Sequence, residues 1–167
     1  MSTSPVSQQS AAPEVLYSER QWVPWYWWLA AIGAAVLTAV QLQMNRDMWW
    51  FIVPFILFAV FALWGLWQLS ATNVIVEKEL DGTRWLRVGG AQLPNSVVAR
   101  SLAVPESAKR NAMGRQLDPA AFVASKSWLK EMVMIVLDDP EDPTPYWLVS
   151  TKNPQALLEA FLPGTHH

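Results

Sequence analysis

The sequence predicts an α+β membrane protein: a two-helix transmembrane hairpin followed by a small, mostly antiparallel β domain with a C-terminal helix. Three observations carry this. Two charge-free apolar stretches, Gln21–Asn45 and Met48–Val76, lie back to back with only Arg46 and Asp47 between them. Eight of the 11 tryptophans fall in these stretches and cluster near their ends. Beyond Ala71 the chain turns to alternating β-branched runs separated by turn signals.

The expected organisation is a disordered tail over 1–16, a hairpin over 17–70 and a β domain over 71–163, with 164–167 as a second tail. Helices over about 22–42 and 48–69 would each be about 31–33 Å long at the α-helical rise, matching a hydrocarbon core of about 30 Å. Without water inside a bilayer the backbone must satisfy itself, so both runs are expected to be helical. Trp22, Trp25, Trp27, Trp28, Trp49, Trp50, Trp64 and Trp67 are expected as membrane-interface anchors, ring toward lipid and N–H toward headgroups. Pro24 suits a first helical turn, and Pro54 is expected to bend the second helix.

The first run is not read as a cleaved signal peptide, because its far end lacks a small-residue cleavage pattern. The short link carries Arg46 alone, whereas Arg20, Lys78, Arg84 and Arg87 lie near the other ends. That bias places both termini in the cytoplasm of a multi-pass protein of the cell membrane. Helical spacing predicts that Ala30, Ala34, Thr38 and Gln41 pack against Phe51, Phe55, Phe58, Ala62 and Gly65. No charge lies inside either helix, so an ion path or proton relay is not expected.

In the remaining segment, strands are expected over Asn73–Glu79 and Thr83–Val88 around Asp81-Gly82, then over Val97–Val104. Glu106–Gln116 reads as a polar loop, Ala120–Ser125 as a short strand, and Glu131–Leu137 and Tyr146–Ser150 as strands. Asn153 caps a helix over 154–162 that starts with Pro154 and stops at Pro163-Gly164. Its Leu157, Leu158 and Phe161 form one apolar face that should plug a bent sheet. This is the outline of a pleckstrin-homology-like domain.

Three strings resemble an uncharacterised actinobacterial membrane family, domain of unknown function 3093. They are Tyr17-Ser-Glu-Arg20 with Val23-Pro-Trp-Tyr-Trp-Trp28, then Gly114-Arg-Gln-Leu-Asp-Pro-Ala-Ala-Phe122, and Asp138-Asp-Pro-Glu-Asp-Pro-Thr-Pro-Tyr-Trp-Leu-Val-Ser-Thr151. The resemblance implies a two-helix membrane protein with a small cytoplasmic domain. It implies no activity and carries over no site residue.

Chemistry-bearing residues are sparse. The sequence has no cysteine, no internal histidine, no phosphate-binding glycine loop and no nucleophile elbow, so it is not expected to be an enzyme. No catalytic, metal or cofactor-binding residue is expected, and no cofactor. His166 and His167 lack further ligands. Asp138, Asp139, Glu141 and Asp142 lack calcium-loop spacing and read as a turn. Arg100, Lys109, Arg110 and Arg115 are candidates for anionic-lipid contact. Tyr17, Glu19 and Arg20 either pair with the domain or anchor at the interface. Of Tyr146 and Trp147, alternation places one in the core and the other outside. A net charge of −2 argues against nucleic acid. The expected partners are the lipid bilayer and either a membrane or cytoplasmic protein or a second copy. The leading functional expectation is a non-enzymatic, membrane-anchored interaction or scaffold module. The alternatives are an anionic-lipid-sensing module and an accessory subunit of a membrane enzyme or transporter.

Overall fold

In the computed structural model, residues 13–164 are described. Most of the expected N-terminal tail, and His166 and His167, lie outside the described residues. Two apolar helices, α1 (Trp25–Gln43) and α2 (Trp49–Ser70), form an antiparallel hairpin, and both are long and apolar enough to cross a membrane. The helix α2 runs unbroken through Pro54. Asn45, at φ 64°, lets the short link reverse direction.

The hairpin does not precede the β domain; it interrupts it. Glu14–Arg20 forms strand β1, which pairs antiparallel with β2 (Asn73–Lys78), from Glu14 opposite Lys78 to Arg20 opposite Asn73. The expected boundary at residue 71 is therefore corrected. Residues 14–20 belong to the sheet, and the helical hairpin takes the place of a β-hairpin loop. Alternation alone could not reveal β1, because its pairing partner lies on the far side of both helices.

The first sheet continues with β3 (Arg84–Val88) and β4 (Ala91–Pro94) in the order β1-β2-β3-β4. Gly82 and Gly89, at φ 90° and 60°, supply the left-handed positions of its two turns. The second sheet contains β5 (Val98–Val104), β6 (Phe122–Ala124), β7 (Glu131–Leu137) and β8 (Tyr146–Thr151), in the order β5-β7-β8-β6. Only β6 pairs parallel, against β8.

The segment expected as a polar loop contains a helix, α3 (Glu106–Ala112). Its physical reason is the sheet beneath it. Along β7 and β8, Val133, Ile135, Trp147 and Val149 enter the main core, while Met132 and Leu148 point to the opposite face. That second apolar face needs a cover, and Ala108, Ala112 and Met113 provide it. Gly114 allows the chain to leave α3, since a Cβ there would lie 2.9 Å from the Arg110 carbonyl oxygen.

The final helix, α4 (Pro154–Phe161), is capped by the Asn153 side chain, which accepts the Ala156 N–H at 3.1 Å. It inserts Leu157, Leu158 and Phe161, all fully buried, between the sheets against Val74, Val76, Leu86 and Val88. Each such side chain contributes about 1.5–3 kcal/mol through burial.

Between α1 and α2 the contact face differs from the expected one. Ala35 and Ala39 are buried and Thr38 is half-buried, whereas Ala30, Ala34 and Gln41 are exposed. Thr38 donates its hydroxyl to the Ala34 carbonyl of its own helix rather than across the interface. On α2, Leu66 is buried; Phe51, Phe55, Ala62 and Gly65 are half-buried, and Phe58 points outward. A Cβ at Gly65 would meet nothing within 4 Å, so this glycine is not the site of a close helix approach. The face was misassigned because apolar residues surround α1 and its few polar ones do not mark the seam: Thr38 bonds its own helix and Gln41 is exposed.

The packing separates two otherwise similar alanines. Ala39→Leu is expected to overpack the seam and lower stability by about 1–3 kcal/mol, whereas Ala34→Leu leaves it nearly unchanged. Thermal melts of the two variants in detergent measure the difference; equal melts would mean that the seam lies elsewhere.

Candidate functional site

The polar chemistry of the chain gathers where the helical hairpin meets the sheets. Beyond Arg20, the β1–β2 ladder continues through Gln21, whose N–H donates to the Thr72 carbonyl at 3.2 Å. Gln21 is almost wholly buried, and its amide donates to the Ser150 carbonyl at 2.5 Å, joining β1 to the end of β8. Ser70, at the end of α2, is buried too and accepts the Val23 N–H at 3.2 Å.

Glu19 is the hub. One of its carboxylate oxygens accepts from Tyr17 Oη at 2.6 Å and from Thr151 Oγ1 at 2.7 Å. The Lys152 N–H donates to both carboxylate oxygens at 3.1 Å. A buried carboxylate is tolerable only when its lone pairs are matched this way. Tyr17 and Glu19 thus pair with the domain. Arg20 reaches both ways: its Nε donates to the Ser70 carbonyl at 3.4 Å, and its guanidinium lies 4.1 Å over the Trp22 ring. Burial first, and then the hydrogen bond to Glu19, push the Tyr17 hydroxyl up to about 12.

Beside this clamp lies an open groove of about 750 Å3. One wall is the domain end of the helical hairpin, Trp27 and Leu69. The others are α3, with Glu106, Lys109, Arg110 and Met113, and the loop Ser125–Lys130. Trp128 meets Trp27 edge to face at 6.3 Å between ring centroids. Lys126 Nζ donates to the Leu69 carbonyl at 3.2 Å and lies 5.4 Å from the Trp128 ring. It therefore sits on the negative end of the α2 dipole.

Lys109 donates to the Lys126 carbonyl at 2.9 Å, to the Leu129 carbonyl and, at 3.5 Å, to Ser150 Oγ. These bonds hold the loop to α3 and β8. Burial pulls both Lys109 and Lys126 below the ordinary lysine range. Lys130 pairs with Glu106 at 3.3 Å on the exposed rim. The Arg110 side chain is exposed and has no hydrogen-bond or ion-pair partner among the described residues.

Of the four basic residues singled out in the sequence, Lys109 and Arg110 line the groove; Arg100, exposed on β5, and Arg115, after α3, do not. Sequence reasoning missed Lys126, Trp128 and Lys130. Their alternation, Lys-Ser-Trp-Leu-Lys, was the available signal. The expected anchors Trp22, Trp25, Trp27, Trp49, Trp50, Trp64 and Trp67 are exposed on the hairpin or its approach, and Trp28 is half-buried. Trp50 stacks under Arg46 at 4.3 Å. In the acidic turn, Asp139 and Asp142 accept the N–H groups of Glu141 and Thr144, each at 2.9 Å. Among the described residues no three acidic or histidine side chains converge as a metal site.

The three motif strings meet in space. The Tyr146 hydroxyl accepts the Asp118 N–H at 2.7 Å and donates to the Gln116 carbonyl at 3.3 Å. Phe122 packs on Trp147 at 4.2 Å, and Glu19 reaches Thr151. The strings hold β6, β8 and β1 together.

The fold defines an α+β protein in which a long apolar helical hairpin is spliced into an antiparallel sheet. The chain belongs to the family described as protein of unknown function (DUF3093), whose model matches residues 16–161. No curated protein and no solved structure matches the chain.

Two outcomes test the clamp. Glu19→Ala orphans the donors of Tyr17, Thr151 and Lys152, and should lower unfolding free energy by about 2 kcal/mol, read as a reduced Tm. Tyr17 keeps its proton in the fold, with its folded pKa raised from 10.0 to about 12. Its contribution to stability is complete below pH 10 and is lost as pH rises toward 12. Absorbance titration at 295 nm should show a late step near pH 12 that is missing from Tyr17→Phe. A difference between the two titrations that falls near pH 10 instead would contradict the buried geometry of Tyr17.

Proposed function

We propose that the chain is an integral membrane protein and that it works as a non-enzymatic, membrane-anchored interaction module. The helical hairpin spans the bilayer, with its tryptophans in the interfaces and both termini in the cytoplasm. The sheet domain stands against the cytoplasmic face and binds a membrane or cytoplasmic protein, or a second copy of the chain. The observation that carries this reading is the splice. Both helix ends run directly into paired strands of one sheet, so the domain is held to the helices by two adjacent connections rather than a free linker.

Further support comes from the family resemblance, whose actinobacterial membrane setting this reading extends to the chain. The two packed sheets closed by α4 favour a pleckstrin-homology-like module, a fold suited to binding. The absence of cysteine and internal histidine from the sequence favours a role without catalysis.

The cysteine-free sequence makes the test clean. The chain should remain in the membrane pellet after alkaline carbonate extraction. An impermeant maleimide should label Asn45→Cys on intact cells, and Thr83→Cys only after lysis. Release by carbonate would refute the membrane reading, and the reverse labelling would invert the topology. Crosslinking in cells, followed by mild-detergent purification, should recover one stoichiometric partner or a homodimer. A chain that stays alone rules out the interaction role.

A further inference from the structure

The groove at the junction is more specific than a generally basic surface. Four cations line it, Lys109, Arg110, Lys126 and Lys130, against one carboxylate, Glu106. That carboxylate already faces Lys130. Lys109 and Lys126 turn their donors to backbone carbonyls, which satisfies their hydrogen bonds but leaves their charge without a counter-ion among the described residues. Their burial disfavours the charged form, so an anion in the groove would offset a penalty the fold otherwise carries. The Trp128 indole N–H is buried and has no acceptor among the described residues. Arg110 stands free at the rim, with a planar fork suited to phosphate oxygens.

The remaining walls are apolar. Trp27 lies in the first turn of α1, Leu69 in the last turn of α2, and Met113 and Trp128 face them across the groove. A free phosphate would use the cations and leave these surfaces bare. A phospholipid uses both, because its phosphate and its first methylenes adjoin, as Lys126 adjoins the end of α2, with its Nζ 3.2 Å from the Leu69 carbonyl oxygen. The volume of about 750 Å3 accommodates a headgroup and its glycerol backbone.

We propose that this groove is a binding site for an anionic phospholipid. Arg110, Lys126 and Lys130 hold the headgroup phosphate, and Trp27, Trp128 and Leu69 receive the glycerol backbone and the first chain methylenes. Lys109 is a positioning residue that ties the Ser125–Lys130 loop to α3. The inference rests on the proposed membrane placement, which brings Trp27 and Leu69 to the hydrocarbon boundary and the cations to headgroup depth. Arg100 and Arg115 have no part in it.

The test uses the full chain in a neutral detergent, with lipid adducts followed by native mass spectrometry. The probes are dioctanoyl phosphatidylglycerol, dioctanoyl phosphatidylcholine and glycerol 3-phosphate. Phosphatidylglycerol should bind at least about tenfold more tightly than phosphatidylcholine, and glycerol 3-phosphate only weakly. Arg110→Gln should weaken phosphatidylglycerol about fivefold, and the double variant Arg110→Gln/Lys126→Gln by on the order of tenfold or more. Arg100→Gln/Arg115→Gln should change nothing. The Arg110 side chain has no partner among the described residues, so its single variant remains informative if the double variant is unstable.

Equal binding of the two lipids, or a phosphatidylglycerol preference that survives Arg110→Gln, overturns the proposal. Glycerol 3-phosphate binding as tightly as the lipid would make this a soluble-anion site and overturn it too. Carbonate extraction keeps the two readings apart. A chain that leaves the membrane refutes the placement itself. One that stays embedded without a preference among lipids refutes only the groove.

Discussion

The pairing of β1 with β2 is the constraint on which the architecture depends. It joins residues on either side of the whole helical hairpin, from Glu14 opposite Lys78 to Arg20 opposite Asn73. Closing so long a loop has an entropic cost, though one that grows only logarithmically with length. A helical hairpin that brings its own ends together reduces it further. Once the pair forms, the sheet edge, the start of α1 and the end of α2 are set together. Glu19 then reaches Thr151 and Lys152, Gln21 reaches Ser150, and the last turn of α2 comes within reach of Arg20 and Lys126.

This arrangement explains the unusual polarity of the junction. Buried polar groups need partners, and the approach to the apolar helices would otherwise strand backbone donors and acceptors. Glu19 and Gln21, in and just beyond β1, and Ser70, at the end of α2, supply those partners. Lys126 and Arg20 both meet carbonyls in the last turn of α2, where the helix has no N–H left to offer. The groove is a consequence of the same geometry. Holding α3 and the Ser125–Lys130 loop beside the helix ends places cations next to indoles, whatever ligand then occupies the space.

Adjacent packing problems also shape the domain. Strands β7 and β8 are apolar on both faces, so one core does not suffice. The helix α4 fills the interior between the sheets, and α3 covers the outer face with a small-residue stripe that leaves Lys109 and Arg110 available toward the groove. The helix that completes the second core is thus also the one that presents the basic residues.

By itself, the sequence determined whatever depends on local pattern. The two apolar helices follow from length and the absence of charge, β2 and β3 from alternation around a turn signal, β7 and β8 from short apolar runs, and α4 from Asn153, Pro154 and a buried stripe. Each is readable because its signal lies within the element itself. Tertiary structure decided the rest. Strand β1 exists because β2 is beside it, and α3 because Met132 and Leu148 need a cover. The helix seam runs through Ala35 and Ala39, a face that the apolar residues all round α1 left unmarked. Lys126 and Trp128 join Arg110 and Trp27 only in the folded chain, where β1 pairs with β2 across the hairpin. Those contacts link residues far apart in the chain, and no local period encodes a distance in space.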